Sequence, residues 1–235
     1  MAHALTTGNS IEDVSQFTTA EIQPTASALV LVFVTNVRHL LTLGTLATPT
    51  VTGNGLNWER ITTVTTTDED RRLTCFRAMG ANPSRGTVLI SFGDQVQDIC
   101  AWSVLEYTDV NTSGVDGAGA IGSGRTVTNS GTSLTATLTP ADPERGRTVG
   151  AIMLEPTDAQ ARPVSAGSGF SEIHQQTVTQ GIAFTKALTM QTQDSTSAAS
   201  TIKWTWTESQ NAAAVVIDVK GVPPGGGTTP GGDPT

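Results

Sequence analysis

The segment Asp109-Val110-Asn111-Thr112-Ser113-Gly114-Val115-Asp116 carries oxygen-bearing side chains at alternate positions and a glycine at the sixth, as calcium loops do. Asp109, Asn111, Ser113 and Asp116 are therefore the candidate metal ligands. The twelfth position is Ala120, so the bidentate carboxylate that closes such loops is missing, and a solvated Asx turn is the ordinary reading. A second group, Asp68, Glu69, Asp70, Asp94 and Asp98, would suit glycoside hydrolysis if two carboxylates stood about 5–10 Å apart in a cleft. The first three sit beside Arg71 and Arg72 in a hydrophilic turn, which favours a surface position and full ionisation. The three histidines, His3, His39 and His174, fall at unrelated distances without ligand spacing. No Gly-x-Ser-x-Gly elbow follows a strand and opens a helix, and no phosphate-cradling loop with its lysine is present. The expectation is a chain that is not an enzyme and uses no cofactor.

Aromatic side chains offer a different chemistry. Trp58, Trp102, Trp204 and Trp206, with Tyr107, would build a sugar-stacking platform if their faces were exposed. Each lies in a strand-like stretch, however, where a tryptophan buries a large area. Leu31, Phe33, Trp102, Trp204, Trp206 and Ile217 are assigned to the core. Trp58 follows the turn Thr52-Gly53-Asn54-Gly55 and, with Asn57, is the candidate glycan contact.

The elements that must position these groups read as β throughout. Charged residues make up only 14% of the 235, while 40 are threonine, a β-branched residue suited to a half-exposed pleated surface. The run Ala28-Leu29-Val30-Leu31-Val32-Phe33-Val34 is long and branched enough for a strand buried on both faces. Further strands are expected at 56–65, 73–79, 87–92, 99–107, 134–138, 148–154, 169–177, 182–190 and 199–206, with turn residues between them. In Ile202-Lys203-Trp204-Thr205-Trp206-Thr207, alternation puts Ile202, Trp204 and Trp206 on one face. Four residues later Ala212 to Val219 begins an aliphatic strand, which predicts a hairpin turning at Ser209-Gln210-Asn211. That strand is expected to pair with residues 28–34. Residues 111–133, rich in Gly, Ser, Thr and Asn, read as a long loop. The result is an all-β, antiparallel β-sandwich, jelly-roll-like, of about ten to twelve short strands.

Three segments follow: an N-terminal arm at 1–25, the sandwich domain at 26–222, and a Pro/Gly/Thr-rich linker or tail at 223–235 that has no apolar residue to bury after Val222. No basic n-region precedes an apolar core at the N-terminus, so no signal peptide is expected. A net charge of −8 and pI of 4.7 argue against nucleic acid, and no apolar run is long enough for membrane insertion by a helix. Cys75 and Cys100 read as two buried free thiols, with a cross-strand disulfide as the rival.

In order, the chain carries a buried Leu/Val strand, Gly53-Asn54-Gly55-Leu56-Asn57-Trp58, and Phe76 to Pro83. Ala101-Trp102 to Ser113 and the Trp204-x-Trp206 strand complete the pattern. It resembles β-sandwich modules of bacteriophage virion structural proteins and bacterial surface proteins. The resemblance covers about residues 26–222, and Asp109 stands where that pattern has glycine. It implies a capsid-decoration, tail or fibre component in the virion that docks on other virion proteins. A homo-oligomer is expected, with a trimer preferred. The alternative it implies is an extracellular adhesin or carbohydrate-binding module, with a host surface glycan as ligand.

Overall fold

Leu29–Arg38 explains the architecture best, because nine of its ten residues are buried and a strand so apolar needs cover on both faces. The computed structural model describes residues 2–39, 41, 44–66, 69–156, 162–180 and 186–223. Its strands are β1 (Ala2–Ser10), β2 (Gln16–Thr18), β3 (Leu29–Arg38), β4 (Thr50–Gly53), β5 (Glu59–Thr65), β6 (Arg71–Ala78) and β7 (Val88–Ser91). They continue with β8 (Gln97–Tyr107), β9 (Ile121–Thr137), β10 (Arg147–Glu155), β11 (Ser165–Ala166), β12 (Phe170–Gln180), β13 (Lys186–Ser195) and β14 (Thr201–Val219). A single 3₁₀ turn, Ala118–Ala120, interrupts them among the described residues.

Two antiparallel sheets face each other. The first runs β1-β8-β3-β6-β5, and the second runs β11-β14-β10-β13-β12 with β9 also on β14. Between them Leu29, Leu31 and Phe33 of β3 meet Met153 of β10, Met190 of β13, and Val215 and Ile217 of β14 in one buried cluster. Because side chains alternate along a strand, Val30, Val32 and Val34 point the other way. There a third sheet, β2-β7-β4, covers them with Phe17, Val51 and Ile90. Phe17 and Phe92 meet edge-to-face at 6.0 Å. The outer face of the second sheet is covered too: Ile152, Leu154 and Val216 pack under Leu134, Ile202, Trp204 and Trp206.

That outer cover comes from a bend. Both halves of β14 pair with β9, but the register shifts between Thr205 and Gln210, and its first residues fold back over the sheet. Trp204 then lies on Gly150 of β10, where a Cβ would stand 2.7 Å from the indole. Only glycine admits so close an approach.

The antiparallel β-sandwich is thus established; strand order alone does not make it a jelly roll. Several expectations need correction. Fourteen strands are present among the described residues, and two of them, at 17 and 19 residues, are not short. The expected hairpin at residues 202–219 is one bent strand, because both of its halves pair with the same neighbour. The aliphatic half of β14 does not pair with residues 28–34: it pairs with β9 and β10 and meets β3 only across the core. Much of the expected loop at 111–133 is the first part of β9. Its Gly, Ser and Thr residues are held along one backbone edge by β14 and need few apolar side chains. Ala2–Ser10, within the segment read as an arm, is an edge strand on β8. Asp68, residues 182–185 and the tail from 224 lie outside the described residues. Cys75 and Cys100 are both free and buried, and they belong to clusters on opposite faces of the first sheet. Burial pushes both thiols well above their ordinary range, which makes them inert.

Candidate functional site

Leu31, Phe33, Trp102, Trp204, Trp206 and Ile217 are all buried, as is Tyr107. Trp58 is half-buried and donates its indole N–H to Gly53 O at 3.1 Å, while Asn57 is exposed. The aromatic that gathers polar neighbours is Trp102, not Trp58. A cavity of about 450 Å³ beside β1 is lined by Trp102 and Phe17 together with Asn9, Glu12 and Gln16. Gly8 lies flat against the Trp102 ring, and the indole Nε1, though buried, has no hydrogen-bond partner. Trp102 is only 6% exposed with Gly8 against its ring, so what the cavity offers a ligand is the polar rim of Asn9, Glu12 and Gln16 and not a stacking face. Linear reading missed it because Trp102 and the residues 9–18 meet only through the pairing of β1 with β8.

The acidic residues are dispersed. In the loop after β8, Asn111 Oδ1 accepts the Ser113 amide at 2.9 Å and Asp109 Oδ2 accepts Thr108 Oγ1 at 3.3 Å. Ser113 is exposed, and Asp116 offers its backbone carbonyl to Arg77 at 2.6 Å. Asp70 pairs with Arg71 at 2.7 Å, and Asp94 is exposed. Of the described members of that group only Asp98 is buried, and Lys186 Nζ holds its Oδ2 at 2.8 Å. Here the structure departs from the spacing argument. His39 Nε2 stands 3.7 Å from Asp98 Oδ1 and 4.0 Å from Asp13 Oδ2, so a histidine and two carboxylates converge at one end of the sandwich. Their ligand atoms come from three separate segments, which no linear spacing could reveal.

A further carboxylate is buried beside the open edge. Where β9 bulges against β14, Gly122 lies so close to Asp218 Oδ2 that a Cβ would overlap it. That oxygen accepts the Ala141 amide at 2.6 Å, while Oδ1 and the nearby Ser123 Oγ have no partner. Burial raises the Asp218 carboxyl above its ordinary range, and burial does the same to Asp194. A raised folded pKa favours the protonated form. The stability associated with it is complete below the unfolded pKa and is lost as pH rises through the folded one. Asp218→Asn is therefore expected to stabilise the protein at pH 7 by ~1 kcal/mol, or about 2–4 °C in Tm. In thermal scans the difference should close once the pH falls below the carboxylate range.

The edges differ in how they are protected. On one side Gln176 of β12 bonds to Asn9 at 3.1 Å and to Gly8 O at 2.8 Å, tying β12 to β1. On the other, β9 pairs only with β14 among the described residues and leaves its second backbone edge bare. Its 17 residues, Ile121–Thr137, include one charged side chain, Arg125. A long edge with so little charge is a template for another strand.

No helix of the described residues is long and apolar enough to cross a membrane. The chain matches no family model, and neither a curated protein nor a solved structure matches it.

Proposed function

We propose that this chain is a non-enzymatic structural protein of a virion, a capsid-decoration, tail or fibre component that docks on copies of itself and on other virion proteins. The observation that carries the reading is the bare edge of β9, whose backbone groups on the side away from β14 have no strand partner among the described residues. Strand addition there would satisfy those groups without any pocket or cofactor. The net charge of −8 opposes association of copies, so assembly should strengthen as salt screens it. Light scattering on the purified chain tests this directly. A homo-oligomer, a trimer first among the candidates, should dissociate towards monomer in Thr128→Lys/Thr132→Lys, which places charge on exposed positions of the edge. A wild-type chain that stays monomeric in both low and moderate salt would contradict the reading.

A second reading, an extracellular glycan-binding module, draws on the cavity at Trp102. Titration with a glycan panel, followed by tryptophan fluorescence, separates the two. A saturable response abolished by Glu12→Ala/Gln16→Ala supports the module, and a flat response speaks against it.

A further inference from the structure

We propose that Asp13, His39 and Asp98 form a binding site for one divalent cation of the zinc class. The site stands apart from the docking edge and does not depend on it. His39 ends the run of β3, Asp98 opens β8, and Asp13 lies in the segment that follows β1. That segment is held against β8 by Gln97 N donating to Val14 O at 3.0 Å.

The separations decide between an ion pair and a ligand set. His39 Nε2 lies 3.7 Å from Asp98 Oδ1 and 4.0 Å from Asp13 Oδ2, too far for hydrogen bonds. Two ligands on a tetrahedral ion with bonds of about 2.0–2.1 Å stand roughly 3.3 Å apart, so a small inward movement closes the site on a metal. All three ligand atoms already lie within 4.8 Å of one another.

Each carboxylate is also held by its other oxygen. Gln180 Nε2 donates to Asp13 Oδ1 at 2.7 Å, and Lys186 Nζ donates to Asp98 Oδ2 at 2.8 Å. Donors on the outer oxygens fix the carboxylates and turn the inner ones to the imidazole, as the partners of metal ligands do. Asp98 is only 6% exposed, and a cation on its Oδ1 would offset part of the cost of burying its charge. The Lys186 charge lowers the net negative charge of the site, so the affinity should be modest. His39 Nδ1 accepts the Leu41 amide at 3.2 Å, which puts the proton of the neutral ring on Nε2. The cation replaces that proton, Nδ1 takes one up, and the Leu41 amide, in an 80% exposed residue, turns to water. No other His, Cys, Asp or Glu joins the group among the described residues, which leaves the fourth position to water.

The test is calorimetric titration of the EDTA-treated full chain with Zn²⁺, repeated with Co²⁺. One equivalent should bind, and the Tm should rise by roughly 5–10 °C at a hundredfold excess over Kd. His39→Ala should lower the affinity at least ~100-fold and remove the rise in Tm, while Gln180→Ala should weaken binding about tenfold. His39 is partly exposed, so its replacement leaves the fold intact. Absence of binding at millimolar Zn²⁺, or one-equivalent binding unchanged in His39→Ala, would overturn the proposal.

Discussion

Trp204→Ala is expected to lower the stability of the protein by about 3–5 kcal/mol, seen as a fall in Tm of roughly 10 °C or more. The residue is fully buried and caps the outer face of the second sheet, resting on Gly150 with Ile202 and Trp206 on its own strand face. Two terms add. The transfer free energy of a large apolar surface is lost, and the cavity left cannot collapse, because the bent end of β14 is pinned by its pairing with β9 and β11. Trp204→Phe should cost clearly less, since it keeps most of the ring and removes an indole N–H that has no partner. Trp58→Ala should cost well under half as much, because Trp58 is only half-buried. Urea unfolding of the three variants tests this ordering. A Trp204→Ala variant within about 1 kcal/mol of the wild type would mean that the bent strand does not seal the outer layer.

Arg71→Ala is expected to have an effect of similar size, from charge and not from volume. Arg71 begins β6 in the first sheet and reaches into the second, where its NH1 meets Glu155 of β10. Its other nitrogens donate to the carbonyl of Ala187 at 3.4 Å. Arginine suits this position because its planar fork serves several acceptors at once. Both Arg71 and Glu155 are buried, and Asn211 Nδ2 also donates to Glu155 Oε2 at 3.4 Å, so removing the cation takes away one of several partners of a carboxylate in a poorly solvating interior, at a cost of about 3–5 kcal/mol. The pair itself contributes little net stability, since both ions were desolvated to form it. Arg71→Met/Glu155→Met should therefore recover a substantial part of the loss, though the Ala187 carbonyl loses its donor. A single variant as destabilised as the double would contradict this account.

The strands legible in the sequence are those whose side chains carry the signal. The continuous runs in β3, β8 and β10 announce strands buried on both faces, and the alternation of Ile202, Trp204 and Trp206 gives their shared face correctly. What lies over those faces is not legible. An apolar strand demands cover but does not say whether a second sheet, a third sheet or its own bent continuation supplies it. Strand β9 was illegible for a related reason: Gly124, Thr128 and Ser130 are held by backbone bonds to β14, and pairing leaves no trace in composition. The polar stretch Ser209-Gln210-Asn211 reads as a turn because a bulge and a turn use the same residues. Asp13, His39 and Asp98 show no spacing because the fold, not the chain, brings them together.

Hydrogen exchange along β9, followed as a function of protein concentration, tests the docking role most directly. Every second amide of Ile121–Thr137 not engaged by β14 faces the open edge. If copies join there, those amides should exchange at least ~10-fold more slowly at about 100 μM than at about 1 μM, with no change in the core strands. Protection that is the same at both concentrations, in a chain that scatters as a monomer, would show that this edge does not join copies.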